Sequence, residues 1–379
     1  MLVLEIIGGL LILVLLVVLH ELGHAIAAKR NGVVVEEFGI GFPPRAWARK
    51  LKNGVVFSIN WLPLGGFVKL QGEHDAADQP GDYGAATFWQ KTKILLAGVL
   101  INWLTAAVLL TILSWTGMPK ILPNQFEMPG DTYTQSTPVR VASVVAGSPA
   151  DKAGLKTGDS VLYLDGEHVT TTTGLADMTK HHAGQNVEII YTRGDHDVTT
   201  RALLNKSGGH DGYLGVQSAQ SIVSHSTWSA PIVGIATTVQ LTGATFQGLG
   251  TMLENLGKGL VLQLSPDRAA RHTASESLAA AGNSVSGPVG VLGVIFPAAE
   301  RAGPTQLVLL TALISLSLAV MNTLPIPALD GGRWFVTALF RVLKKPLTKE
   351  REEKIQATGF SILMLLIIVV TVADVGKLF

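Results

Sequence analysis

From Met1 to Ala28 the chain is almost continuously apolar, and no other segment limits the possible folds as much. A helix of that length is about 40 Å long, enough to cross a hydrocarbon core of about 30 Å. Its polar groups are Glu5 near one end and His20, Glu21 and His24 near the other. A secretory signal would start basic, carry a shorter apolar core and end at a small-residue cleavage site. This segment starts acidic and runs into Lys29 and Arg30, which predicts a retained transmembrane helix. The whole chain is 47% hydrophobic and only 15% charged, against about 25% charged in soluble domains, which argues against a wholly water-soluble globule. Its 29 basic and 28 acidic residues create no net field for nucleic acid, and none is expected as a partner. With no cysteine, any metal must be held by His, Asp or Glu.

Ile94–Trp115, Gln306–Leu324 and Thr358–Val375 are further apolar runs, the last carrying only Asp374. Four crossings place both termini on one side. Nine Lys and Arg lie between Lys29 and Lys93 and seven between Arg333 and Lys354, so the positive-inside bias puts those loops in the cytoplasm. The termini and the long middle segment are then extracytoplasmic. The expected organisation is a first transmembrane helix over 1–28, a cytoplasmic loop over 29–93 and a second helix over 94–115. A linker over 116–138 leads to an inserted domain over 139–217, an amphipathic helical region over 218–264 and a connector over 265–304. A third transmembrane helix over 305–332, a cytoplasmic loop over 333–356 and a fourth helix over 357–379 complete the chain.

Within the first loop, Val55–Asn60 and Phe67–Gln71 read as strands around the turn chemistry of Pro63-Leu64-Gly65-Gly66, which predicts a β-hairpin. Strand-like stretches at Arg140–Val145, Ser160–Leu164 and Val187–Thr192 alternate with turn dipeptides. Gly147-Ser148-Pro149-Ala150, Ala153-Gly154-Leu155, Gly158-Asp159 and Asp165-Gly166 together resemble the PDZ signature. Tyr213-Leu214-Gly215-Val216 resembles the carboxylate-binding loop of that family, whose groove accepts a peptide C-terminus as an added strand. Such a domain can equally act as a steric filter. In Trp228–Leu260, apolar residues recur in steps of three, four and seven, which predicts an amphipathic helix at the membrane interface, with a further transmembrane pair as the competing reading. The Ala/Ser-rich Ser265–Ser284 reads as a loose connector.

His20-Glu21-Leu22-Gly23-His24 is H-E-x-x-H on a helix, and residues four apart lie about 40° around the axis, so both imidazoles can face one ion. Zinc suits that pair, and Glu21 is left free to take a proton from water. Three ionisable groups at the end of an apolar span are costly unless paired or metal-bound. A catalytic zinc needs a third protein ligand. Asp330 is the strongest candidate, at the cytoplasmic end of the third span after Pro325 and Pro327 have stopped the helix. The competing reading is that Asp330 caps the following helix. His181-His182, His210-Asp211 and Gly194-Asp195-His196-Asp197 read as solvated surface, and Gly257-Lys258-Gly259 lacks the spacing of a phosphate loop.

Together these pieces resemble the site-2 protease family of intramembrane zinc metalloproteases, and within it the bacterial regulator-of-sigma-E protease (RseP) branch, over nearly the whole chain. The resemblance rests on His20 through His24, Leu64-Gly65-Gly66-Phe67-Val68-Lys69, the PDZ-like domain, Ser286-Gly287-Pro288-Val289-Gly290 and Asn322 through Gly332. It implies a polytopic α-helical membrane protein of four transmembrane helices, with a membrane-dipping β-hairpin on the cytoplasmic side and one extracytoplasmic PDZ domain. It implies one zinc on His20, His24 and Asp330, with Glu21 as catalytic base, in agreement with the residue-level reading. Asn322 is then expected to contact substrate backbone, and Gly65, Gly66, Phe67 and Val68 to present an edge strand to unwound substrate. The implied setting is the bacterial inner membrane, with the active site towards the cytoplasm. The implied partner is a single-pass membrane protein, such as an anti-sigma factor or a signal-peptide remnant, already trimmed by an upstream site-1-type protease. In Ala97-Gly98-Val99-Leu100-Ile101-Asn102, Val99 departs from the proline that often follows the glycine, and only one PDZ signature is visible. A membrane zinc peptidase for soluble or lipidated peptides, and a non-catalytic PDZ scaffold, are the rival readings.

Overall fold

With no proline and Leu, Val or Ile at most positions, the first apolar segment forms one helix, α1 (Leu2–Arg30), whose last turn holds Lys29 and Arg30. The computed structural model describes residues 2–209, 212–283 and 287–378, so His210-Asp211 and Ser286 lie outside the described residues. The chain divides into two compact units, Met1–Thr116 with Trp228–Phe379, and Gly117–Thr227.

After α1 the chain forms β1 (Val35–Lys50) and β2 (Val56–Leu70). This corrects the expected hairpin, because Pro63 to Gly66 lie inside β2 and do not close a turn. The turn is at Asn53-Gly54, where Gly54 takes φ +88° and the Leu51 N–H donates to the Val55 carbonyl at 2.8 Å. Asn-Gly is a strong short-range hairpin signal because both positions tolerate positive φ. Residues 56–59 of β2 pair with both arms of β1, so four runs lie side by side in the order 66–70, 35–40, 56–60, 45–50. The run 66–70 is an edge of that sheet.

Helix α2 (Phe88–Thr116) begins six residues before the uncharged run at Ile94. A capping box explains the early start: the Thr87 N–H donates to Gln90 Oε1 at 2.8 Å and Thr87 Oγ1 accepts from the Gln90 N–H. Thr105, Thr111 and Ser114 return their hydroxyls to carbonyls four residues earlier at 2.8, 2.8 and 2.9 Å, which satisfies them within an apolar helix.

The second unit holds β3 (Met118–Pro119), β4 (Tyr133–Ser136), β5 (Val139–Val144), α3 (Pro149–Lys152), β6 (Ser160–Leu164) and β7 (Glu167–His168). It continues with α4 (Thr172–His181), β8 (Asn186–Arg193), β9 (His196–Leu203), β10 (Val216–Ala219) and β11 (Ile222–His225). The main sheet has the order β10-β5-β6-β8-β9, with β7 on β6, and β3-β11-β4 form a smaller sheet. Alternation puts Val139, Val141, Val161, Val187 and Ile189 in one core with Leu175 of α4 and Leu214. Ser148 caps α3, its Oγ accepting from the Asp151 N–H at 3.2 Å. The strands expected around 140–145, 160–164 and 187–192 lie at β5, β6 and β8.

The first unit resumes with α5 (Ala230–Gln263), which lies along α2: Trp103 Nε1 donates to Thr242 Oγ1 at 3.1 Å, and Gly234 sits flush on Thr111. The loose connector is corrected by α6 (Arg268–Asn283), whose start Asp267 marks by accepting from the Ala269 N–H at 3.1 Å. Helix α7 (Pro288–Gly290) runs through a π-helical turn (Val291–Ile295) into α8 (Phe296–Ala302). Arg301 of this run pairs with Glu5 of α1 at 2.6 Å, which accounts for the buried Glu5. The chain ends with α9 (Pro304–Thr323), α10 (Asp330–Val342) and α11 (Lys349–Leu378). Among the described residues, four helices, Leu2–Arg30, Phe88–Thr116, Pro304–Thr323 and Lys349–Gly376, are long and apolar enough to cross a membrane.

Candidate metal centre

His20 and His24 follow one another on α1, with their rings 4.7 Å apart and nearly perpendicular. Their Nε2 atoms approach to 3.1 Å. Asp330, 310 residues further on, brings Oδ2 to 3.0 Å from His20 Nε2 and 3.2 Å from His24 Nε2. Among the described residues, this is the one place where three His, Cys, Asp or Glu side chains gather ligand atoms within 4.8 Å of one another.

Two features of the sequence let these groups meet. Gly98 of α2 passes directly over the imidazoles: a Cβ there would lie 2.4 Å from His24 Nε2 and 2.7 Å from His20 Cε1. Beyond α9, Pro325 and Pro327 deny helical donors, and Leu324 turns extended with ψ 146°. The chain doubles back through Ala328 at φ +83°, held by its N–H to Gln356 Oε1 at 2.6 Å. Gly331 and Gly332 then bring the first turn of α10 against this segment, where Cβ atoms would meet Thr323 O at 2.4 Å and Ile326 O at 1.9 Å. Asp330 is therefore the first residue of a helix, presented at the mouth of a break. One turn on, Arg333 fixes α10 from outside, donating to Glu73 Oε1 at 2.9 Å and Glu352 Oε1 at 3.3 Å and stacking on Tyr83 at 4.6 Å.

The donor set suits zinc. Ligands about 2.05 Å from a tetrahedral ion lie roughly 3.3 Å apart, close to the 3.0–3.2 Å triangle here. A carbonyl can only accept, so the His24 Nδ1, 2.8 Å from Ile94 O, carries that ring's proton and leaves Nε2 a lone pair. Glu21, between the two histidines in sequence, is half-buried, and the Val68 main-chain N–H hydrogen-bonds its carboxylate. Gly66 lies over it, with an ideal Cβ 3.5 Å from Glu21 Cγ. The edge run 66–70 is thus beside Glu21, whereas Gly65 sits further along at φ +85° against the Phe42 ring. Phe67 is half-buried, and its ring fills the space beside Gly39. Asn322 is half-buried in the last turn of α9. In the second unit, Tyr213, Leu214 and Gly215 lead into Val216 of β10, and Gly215 takes φ +79° against Ser148. A cavity of about 790 Å³, bordered by Leu70, Glu73, Leu329, Asp330, Arg333 and Glu352, reaches the carboxylate from the side of the charged loops.

Sequence reading missed Ile94, Gln356 and Arg333, and it noted Gly98 and Asn102 only as part of Ala97 through Asn102, without a role at the centre. Ile94, Gly98 and Asn102 lie on an uncharged stretch of α2 whose composition only signals a membrane span.

Residues 8–366 match the model of peptidase family M50. A chain from Clostridium perfringens named as a zinc metalloprotease is 32% identical over 374 residues, covering 98% of each chain. The regulator of sigma-W protease RasP of Bacillus subtilis is 25% identical over 449 residues, covering 96% of each. A solved PDZ domain from a Listeria monocytogenes SdrC-like protein is 23% identical, covering 25% of this chain and 94% of that domain, with a TM-score of 0.20.

Proposed function

Since the chain belongs to peptidase family M50 and is an intramembrane zinc metalloprotease of regulated proteolysis, we propose that His20, His24 and Asp330 hold its zinc and that Glu21 is its catalytic base. The observation that carries this reading is the 3.0–3.2 Å triangle of two imidazole nitrogens and one carboxylate oxygen from opposite ends of the sequence. When bound, zinc supplies Lewis acidity to the scissile carbonyl and lowers the pKa of water. Glu21 takes the proton of the attacking water and returns it to the leaving amine.

A transmembrane helix hides its peptide bonds in its own hydrogen bonds, so substrate must unwind before it can be cut. The edge run 66–70 offers it a strand to pair with beside Glu21, and Gly65 to Val68 are the residues we assign to that contact. Asn322, at the end of α9, is assigned to the substrate backbone. The four membrane-crossing helices support a multi-pass protein, and the distribution of Lys and Arg supports a cytoplasmic-side active site with termini and second unit outside. We assign the second unit as a PDZ domain, supported by its signature residues and by the edge strand β10 following Tyr213 to Val216. Its role in this reading is to admit a substrate that an upstream protease has already trimmed, by peptide capture or by exclusion. The substrate class is a single-pass membrane protein of a bacterial inner membrane.

The test is to co-reconstitute the full-length protein with a single-pass reporter and a soluble peptide of the same sequence, and to map the product termini. Cleavage within or beside the reporter's apolar segment is expected. Cleavage of the soluble peptide alone would replace this reading by that of a membrane peptidase.

A further inference from the structure

Asn102 of α2 has no exposed surface and lies one helical turn beyond Gly98. Its Oδ1 is buried without a hydrogen-bond partner, while its Nδ2 is 3.4 Å from His20 Nδ1. Its main-chain carbonyl accepts from Ser315 Oγ of α9 at 2.8 Å, so the residue is fixed between α1 and the helix that leads to Asp330. The two ends of a carboxamide have nearly the same shape, and which one is oxygen follows from what each must bond.

His20 settles that choice. Its Nε2 faces Asp330 Oδ2 at 3.0 Å and His24 Nε2 at 3.1 Å, on the side where the ion would bind. An imidazole that gives its Nε2 lone pair to a metal keeps its proton on Nδ1. An amide N–H aimed at that N–H would be repelled, and an amide oxygen there would accept. Turning the Asn102 carboxamide over gives its oxygen the donor it lacks. We infer that Asn102 is a positioning residue of the metal centre, its side-chain oxygen accepting the His20 Nδ1–H and so presenting the Nε2 lone pair to zinc. Ile94 O does the same for His24 at 2.8 Å, so residues eight apart on α2, about two turns, orient both imidazoles.

The inference rests on the assignment of His20, His24 and Asp330 as ligands, and the experiment separates the two. The zinc dissociation constant of the full-length protein in detergent is measured by chelator competition, with no substrate present, for wild type, Asn102→Leu, Asn102→Asp and Asp330→Ala. Leu matches Asn in size without an acceptor, and Asp accepts but cannot donate. Asn102→Leu is expected to weaken zinc by about 10–100-fold. Asn102→Asp is expected to stay within a few-fold of wild type. Zinc held by Asn102→Leu as in wild type, or lost from Asn102→Asp as from Asn102→Leu, would overturn the inference while leaving the ligand set standing. Asp330→Ala binding zinc like wild type would instead overturn the ligand set, and this inference with it. If Asn102→Leu does not fold, Asn102→Ala carries the same comparison with Asn102→Asp.

Discussion

Two carboxylates in this molecule, Asp159 buried and Asp330 half-buried, are partnered in opposite ways. Asp159, 2% exposed in the second unit, accepts from Arg193 Nε at 2.8 Å, Arg193 Nη2 at 2.7 Å and the Lys156 N–H at 2.7 Å. Every partner there is a donor, and the pair is neutral and complete. Asp330 instead faces two imidazole nitrogens at 3.0 and 3.2 Å, and the His24 ring already spends its proton on Ile94 O. Lone pairs converge on one point, an arrangement that only a cation or added protons can stabilise. A complete pair builds structure, whereas a convergence of acceptors on one point marks a binding site.

The sharpest way to break this contrast is to remove each carboxylate's role in turn. Asp330→Ala should take the purified protein from about one zinc per chain to none and cleavage to background, while Arg193→Met should leave zinc unchanged. Metal analysis of both variants checks it, and zinc lost from neither would dissolve the distinction. Glu21→Gln is the next largest effect. It should lower cleavage by about 10²–10⁴-fold, the usual contribution of a general base, and leave zinc bound. Parallel loss of zinc would make Glu21 a ligand.

Much of both regions was legible before the structure. H-E-x-x-H declares itself because its two ligands are one helical turn apart, and Asp330 because two prolines beside a carboxylate are conspicuous at the end of an apolar run. The alternating strands of β5, β6 and β8 were equally plain. What stayed hidden was set by partners distant in sequence. The pairing of β1 with both halves of β2 could not be read, because a local strand pattern does not say which distant run it will lie beside. The helix α6 was hidden by its Ala and Ser, which suit a connector as well as a helix. Asn102 and Gly98 belong to a stretch that the sequence marks, but what they touch is readable only once α1 is packed against them.

Gly98 gives a smaller effect that tests packing at the centre. Gly98→Ala puts a methyl where His24 Nε2 would be 2.4 Å away, whereas Gly243 of α5 has nothing within 4 Å of its Cβ position. Overpacking costs about 1–3 kcal/mol, so Gly98→Ala should weaken zinc binding and lower the thermal midpoint. Gly243→Ala should be neutral or slightly stabilising, since alanine is the better helix former. Equal behaviour of the two variants would mean that α2 yields easily over the imidazoles.

The smallest effect concerns the complete pair, and its sign is the informative part. Burial alone would raise the Asp159 carboxyl, but the Arg193 guanidinium and the Lys156 N–H outweigh it and hold the group below its ordinary value. A carboxylate depressed on folding stabilises the native state above its unfolded pKa, about 3.9, and loses that contribution as pH falls through the folded value. Hydrogen exchange of the β6 and β8 amides in the full-length protein should therefore hold steady from pH 7 to about 5, after correction for intrinsic rates, and lose protection below about 4. In Arg193→Met the guanidinium is gone and burial, the largest influence on the carboxyl, is opposed only by Lys156, so the linkage is expected to reverse. That variant should exchange about tenfold faster than wild type at neutral pH and recover part of the difference on mild acidification, as the unpaired Asp159 takes up a proton. A variant whose protection falls with pH in parallel with wild type would show that Arg193 is not what holds Asp159 charged.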